Sequence, residues 1–312
     1  MDSNSKIYVA GHSGLVGSAL VRQLEYLGYK NLVFSGYDLR NQEYVRNFFE
    51  KERPEYVFLA AAKVGGIGFN KQYPAHFIYD NLMIQSNIID AASWCPVIKK
   101  LLFLGTACIY PKHAPVPIKE EYLMTGPLEE TNIGYAIAKI AGLTMCQKYT
   151  EQHGLKTISV MPNNLYGIND NFRLDECHVI PAMIRRFIEA KEQGLPFVTF
   201  YGTGTPTREF LFADDLADGL IYLMNNYDDP KPINIGPNHE VTILELANLI
   251  AKLVEYKGEI KWDTTKPDGT PRRALDTSKM DALGWKAKTS LEDGLKTTID
   301  WFMENRGKYD RV

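Results

Sequence analysis

Lys6-Ile7-Tyr8-Val9-Ala10-Gly11-His12-Ser13-Gly14-Leu15-Val16-Gly17 is the stretch that decides the fold. Its first five residues form a short apolar strand, its glycines follow at once with GxxGxxG spacing, and Ser18 to Leu27 continues with helical periodicity. Strand, glycine turn and helix in that order let the backbone approach a pyrophosphate held at the positive end of the helix. A tight turn that binds nothing would use the same glycines. The correctly placed strand and helix favour a dinucleotide, lined by Gly11, His12, Ser13, Gly14, Leu15, Val16 and Gly17.

The pattern repeats along the chain. Asn31 to Phe34 reads as a second strand, followed by Ser35-Gly36-Tyr37-Asp38-Leu39 with no acid immediately after it. A carboxylate there would bind the ribose of NAD, so its absence leaves room for a 2′-phosphate and leans towards NADP. Ser35 could donate to that phosphate, with Arg40 within possible reach. Gln42 to Lys51 is an amphipathic helix and Glu55 to Ala60 a third strand, ending near the glycine-rich loop Lys63 to Gly68. A helix is predicted from Pro74 to Ser93 and a strand from Lys100 to Gly105, which delivers Thr106-Ala107-Cys108 to the ligand-binding edge. A further helix spans Thr131 to His153. Lys156 to Met161 is the next strand, ending in Pro162-Asn163-Asn164-Leu165-Tyr166-Gly167. This alternation predicts an α/β fold with a Rossmann-type, doubly wound parallel sheet.

After Gly167 the rhythm changes. Pro181 to Glu192 is a helix, Phe197 to Tyr201 a strand, and Gly202 to Arg208 a turn-rich loop. Ala213 to Asn225 is helical, Pro232 to Gly236 strand-like, and Ile243 to Val254 helical; Lys261-Trp262 sits in a short strand and Lys266 to Arg273 forms a polar loop. The expected division is a cofactor domain over residues 1–165, with about 213–238 returning to it. A smaller α/β substrate domain would cover 166–212 and 239–312.

The 312 residues are 45% hydrophobic with a net charge of −3, which gives no electrostatic case for nucleic acid or an anionic membrane. No apolar run is long enough to cross a bilayer, and the polar start lacks a secretory signal. Cys95, Cys108, Cys146 and Cys177 form no CxxC pair and the histidines show no ligand spacing, so no metal site and a reduced, cytoplasmic setting are expected.

Gly134-Tyr135-Ala136-Ile137-Ala138-Lys139 places a phenol and an ammonium on one helix face. A free phenol titrates at about 10. A neighbouring cation favours the phenolate and brings it towards useful proton transfer. A Tyr at a packing edge, with its Lys in water, is the plainer alternative.

Taken together, GHSGLVG, the YAIAK helix, the Thr-x-Cys at a strand end and PNNLYG resemble the extended short-chain dehydrogenase/reductases. More narrowly, AAAKVGGI, FLGTACIYPK, HVIPA and GTGTPTREFLFADD are similar to the GDP-4-keto-6-deoxy-mannose 3,5-epimerase/4-reductases, from about residue 6 to beyond residue 285. The resemblance implies Cys108 as base and His178 as acid for inversion at C3 and C5. It implies Tyr135 as the acid for reduction, Lys139 as its partner and Thr106 as an oxyanion donor. NADP (NADPH) would be bound by the glycine loop with Ser35, Asp38, Leu39, Leu104, Gly105, Thr106, Lys139, Pro162, Asn163, Asn164, Leu165 and His178. Arg186, Tyr201, Arg208, Asp276 and Lys279 would bind the GDP-sugar, and a homodimer would form through the helices near residues 76–93 and 132–153. Departures are Thr106 for a frequent Ser, Ser13 for a frequent Arg and Tyr201 for a frequent Trp. The alternative is another nucleotide-sugar 4-epimerase or 4-reductase of the same superfamily.

Overall fold

The computed structural model describes residues 1–266 and 268–309. Pro267, within the expected polar loop, and residues 310–312, at the end of the expected second domain, lie outside the described residues.

Parallel strands covered on both faces are continuous apolar runs, and the N-terminal strands read that way. They are β1 (Ile7–Ala10), β2 (Leu32–Val33), β3 (Tyr56–Leu59), β4 (Lys100–Leu104) and β5 (Thr157–Pro162). Between them run α1 (Leu15–Tyr26), α2 (Gln42–Glu52), α3 (Ile67–Gln72), α4 (Pro74–Trp94) and α5 (Ile133–His153). Next come β6 (Asn164–Tyr166), α6 (Val179–Glu192), β7 (Phe197–Tyr201), β8 (Thr207–Phe212), α7 (Ala213–Asn226) and β9 (Pro232–Ile235). The chain continues through β10 (Glu240–Thr242), α8 (Ile243–Leu253), β11 (Glu259–Asp263), β12 (Arg272–Arg273), α9 (Ser278–Ala282) and α10 (Leu291–Asn305).

The main sheet is parallel in the order β2-β1-β3-β4-β5-β9. One face carries α1 and α7, with Leu20, Leu24, Leu216 and Leu220 packed on Val9, Phe58 and Leu102. The other carries α2, α4 and α5, with Phe49, Ile88 and Leu143 on Tyr8, Val57 and Leu101. A third core joins α6, α8 and α10 through Phe187, Leu246, Leu295 and Phe302. Beside it, β8 pairs with β6 and β12 in parallel and with β10 antiparallel, while β7 and β11 form a separate parallel pair.

Several boundaries differ from the sequence reading. Thr207 and Arg208 open β8, and Arg272 and Arg273 form β12, where loops were expected. Polar side chains on a two-residue ladder leave no apolar alternation to read. Ile67 and Gly68 open α3 instead of continuing a loop, and a 3₁₀ turn at Glu130–Asn132 precedes α5 because Thr131 is drawn to the Glu129 side chain. Among the described residues no helix is long and apolar enough to cross a membrane.

Candidate active site

The loop after β1 is built around backbone contact. Gly11 has φ +85°, and a Cβ there would lie 2.8 Å from the Ala61 backbone. A Cβ on Gly17 would lie 1.9 Å from the Gly11 carbonyl oxygen, so only glycine closes this turn. Gly14 caps α1 with no side-chain bond and no acid follows in the first turn. The helix therefore presents free amides and a positive end, a cradle that fits a pyrophosphate. His12 stacks on Phe34 at the end of β2, 4.7 Å between ring centroids. Ser35 Oγ accepts from the Tyr37 amide at 3.3 Å. Asp38 holds Arg40, which also reaches Asp80 at 2.8 Å, and Asp80 takes Lys63 at 3.0 Å. Arg40 is thus engaged by two carboxylates. The Leu39 carbonyl accepts from Asn87 at 3.0 Å.

The second group gathers at the ends of β4 and β5. A Cβ on Gly105 would meet the Met161 sulfur at 2.2 Å, so the glycine lets the two strands stay close. Thr106 is extended, and its Oγ1 accepts from the Cys108 amide at 3.3 Å, opening the turn that presents the thiol. On α5, Lys139 donates to the Leu104 carbonyl at 2.8 Å, and Tyr135 meets the edge of Phe77 at 6.5 Å. Burial, then the nearby Cys108, pushes the Tyr135 phenol up, while a hydrogen bond with Thr106 opposes the rise. Burial brings the Lys139 ammonium down to about 7.

This corrects one expectation. The phenol is not drawn down by Lys139, because Nζ points at Leu104 and lies 5.9 Å from the Tyr135 ring centroid. Cys108 Sγ accepts from Asn132 Nδ2 at 3.3 Å.

His178 is the N-cap of α6 with extended backbone and no side-chain cap bond. Solvent reaches its ring, yet the protein walls around it lower its imidazole through burial. The preceding segment docks on the loop after β3, with the Gly66 amide donating to Glu176 O at 2.7 Å. A Cβ on Gly66 would lie 2.4 Å from Cys177 O, and one on Gly65 would lie 3.3 Å from Phe77. Phe77 thus stands between the loop after β3 and Tyr135.

Arg208 and Arg273 face each other across β8 and β12 as register partners. Burial, then the charge of Arg273, holds the Arg208 guanidinium below its ordinary value. Arg208 donates to the Thr207 carbonyl at 2.7 Å and Arg273 to the Ala107 carbonyl at 2.6 Å. Among the described residues neither forms an ion pair, whereas Arg272 next door holds Glu240 at 2.6 Å. Two adjacent guanidiniums without a carboxylate suit an anion. Arg186 is half-buried on α6, and Tyr201 is exposed at the end of β7. Asn163 and Asn164 both donate to Glu209, at 2.8 and 3.0 Å, and Pro162 and Leu165 flank them in β5 and β6.

Asp276 accepts from the Ser278 amide at 2.9 Å, and Lys279 pairs with Glu120 at 3.2 Å, so this lysine already has a carboxylate. Sequence reasoning passed over Arg273, Asn132 and Glu209. Only Asn132 carried a signal, three residues before Tyr135 at the start of the helix.

A Gly-rich helix start and a phenol–lysine pair sharing the carboxyl edge of one parallel sheet belong to a dinucleotide-dependent α/β enzyme. The NAD dependent epimerase/dehydratase family matches residues 7–236, and the chain belongs to that family. It is 55% identical over 308 residues to the putative GDP-L-fucose synthase 2 of Arabidopsis thaliana, covering 98% of this chain and 94% of that one. To the GDP-L-fucose synthase of Escherichia coli (strain K12) it is 50% identical over 319 residues, covering 98% and 99%. The structure of a GDP-L-fucose synthetase from Naegleria fowleri bound to NADP aligns with TM-score 0.91 at 30% identity, covering 98% and 96%.

Proposed function

We propose that the chain epimerises GDP-4-keto-6-deoxy-mannose at C3 and C5 and then reduces C4 to give GDP-L-fucose, consuming NADPH. The observation that carries this reading is the meeting of Thr106, Cys108 and Tyr135 past the carboxyl end of β4: Thr106 Oγ1 accepts from the Cys108 amide at 3.3 Å, and both side chains act on the Tyr135 phenol. The C4 carbonyl makes the hydrogens on C3 and C5 acidic. Cys108 as thiolate takes such a proton, and the bond's electron pair moves onto the carbonyl oxygen, where Tyr135 and Thr106 donate. His178 as imidazolium returns a proton from the opposite face. Burial that keeps Tyr135 protonated suits both duties, first as donor to the enolate and then as acid to the C4 oxygen.

NADPH, when bound, supplies the hydride for C4. Gly11 to Gly17 hold its pyrophosphate, and Ser35, Asp38 and Leu39 border the adenosine. Leu104, Gly105, Thr106, Lys139, Pro162 to Leu165 and His178 surround the nicotinamide end. Arg208 and Arg273 take the GDP diphosphate with Arg186, Tyr201 stacks on the base, and Asp276 and Lys279 border the site. The cofactor domain is residues 1–165 with 213–238, and the remainder binds the sugar nucleotide.

Exposed Tyr79 on α4 and Ile137 on α5 support a homodimer through these helices. Free Cys95, Cys108, Cys146 and Cys177 support a reducing, cytoplasmic setting.

The test is incubation with GDP-4-keto-6-deoxy-mannose in deuterated water, with and without NADPH. Deuterium at C3 and C5, NADPH oxidation and a fucose-configured product support the reading. Reduction without deuterium uptake would leave a simple 4-reductase, and neither reaction would end it.

A further inference from the structure

We propose that Asn132 is a positioning residue that holds Cys108 as a directed thiolate for proton abstraction; this rests on the epimerase reading above. Asn132 is the N-cap of α5, with φ −133° and ψ 20°. An asparagine there ordinarily turns its side chain back onto the free amides of the first turn, which stabilises the helix. Asn132 makes no such bond. Its Nδ2 points instead to Cys108 Sγ at 3.3 Å, and its Oδ1 is buried without a partner. A buried, unpaired amide oxygen is destabilising, because it has lost its water without gaining a donor. The residue therefore gives up a cap and leaves an acceptor unsatisfied in order to face the sulfur.

A thiolate accepts a hydrogen bond far better than a thiol does, because bonds to ionised groups are about twice as strong. A fixed donor at Sγ thus selects the charged form and sets the direction of the remaining lone pairs. Other titratable and charged groups near Cys108 include the Tyr135 phenol and the Arg273 guanidinium, bonded to the carbonyl of the adjacent Ala107. Among the described residues Asn132 alone donates to the sulfur. When the sugar carbon loses its proton to Sγ, the electron pair passes to the C4 oxygen and Asn132 is left facing a neutral thiol. Returning that proton to solvent restores the starting state.

Asn132→Asp keeps the shape and replaces the donor with a carboxylate; Asn132→Ser restores a shorter donor. The first measurement is iodoacetamide alkylation of Cys108 in the intact protein across pH, read by peptide mass so that Cys177 is distinguished. Asn132→Asp is expected to raise the midpoint pH of alkylation by one unit or more, and Asn132→Ser to bring it part of the way back. The second is deuterium wash-in at C3 and C5, expected to fall 10- to 100-fold in Asn132→Asp through kcat, with KM within threefold. An Asn132→Asp protein of wild-type melting temperature and unchanged alkylation profile overturns the proposal. If that variant does not fold, an unchanged profile in Asn132→Ser does so. Wild-type protein that exchanges no deuterium would instead sink the epimerase reading, while the thiol profile still reports on Asn132.

Discussion

Arg273 Nη2 donates to the carbonyl oxygen of Ala107 at 2.6 Å, and Ala107 separates Thr106 from Cys108. The same guanidinium stands beside Arg208, whose charge it disfavours. One side chain therefore touches both the proposed diphosphate site and the turn that presents the thiol. A phosphate bound there would relieve the like-charge repulsion, and the hydrogen bond to Ala107 would link that event to the position of Sγ. Arg273→Gln is expected to raise KM for the sugar nucleotide about 10- to 100-fold and to lower kcat as well. Arg272→Gln, which removes only the exposed pair with Glu240, should change either constant less than about twofold. Steady-state kinetics of the two variants decide the matter, and equal losses would remove Arg273 from the site.

Tyr135→Phe deletes the proposed acid while keeping the ring against Phe77. Loss of a positioned proton donor typically costs 10²- to 10⁴-fold, and the drop should appear in C4 reduction. Deuterium uptake at C3 and C5 should fall as well, because in the proposed mechanism the same hydroxyl donates to the enolate oxygen. Turnover within about threefold of wild type would separate the phenol from the chemistry.

Lys139 provides a pH test with a definite sign. Burial brings its ammonium down to about 7, so the free protein carries this charge below that pH and loses it above. If the ammonium holds the nicotinamide ribose, binding at higher pH must first restore the proton. The Kd for NADPH should therefore rise about 30-fold between pH 6 and 8.5, as measured by fluorescence titration. Lys139→Met should bind weakly and lose that slope. A variant that keeps the wild-type slope would assign it to another group.

The sheet was legible because its strands are short apolar runs buried on both faces, as at Ile7–Ala10 and Lys100–Leu104. Parallel strands send every loop after them to one edge, which is why glycines, a threonine, a thiol and a phenol from distant segments could be assigned to a single site. Other features had no pattern to read. Thr207 and Arg208 pair as strand through backbone groups while their side chains stay polar. The contact of Arg273 with Ala107 spans 166 residues and uses a carbonyl, which every residue has. The behaviour of Lys139 was misread for a different reason. Helical spacing gives the shared face but not the direction of Nζ, and here the Leu104 carbonyl takes it.

Asp170 offers a stability test away from the chemistry. It is 5% exposed, and its Oδ1 accepts from the Asn171 amide at 2.8 Å while Oδ2 is buried without a partner. Burial pushes this carboxyl from 3.8 up to about 7, with the Asn171 bond opposing. The folded value lies above the unfolded one, so between about 4 and 7 the folded chain holds a proton that the unfolded chain has lost. Stability attached to this group is therefore present at low pH and declines as pH rises through that window. Above 7 the full cost of a buried charge applies, with an upper bound of roughly 4 kcal/mol. Asp170→Asn keeps an acceptor for the Asn171 amide and removes the charge. Its melting temperature should exceed wild type by about 1.5–3 °C at pH 8, taking the realised gain as ~1–2 kcal/mol over 312 residues. At pH 4, where both side chains are neutral, the two proteins should melt together. An equal shift at both pH values would mean that packing, and not the buried charge, sets the difference.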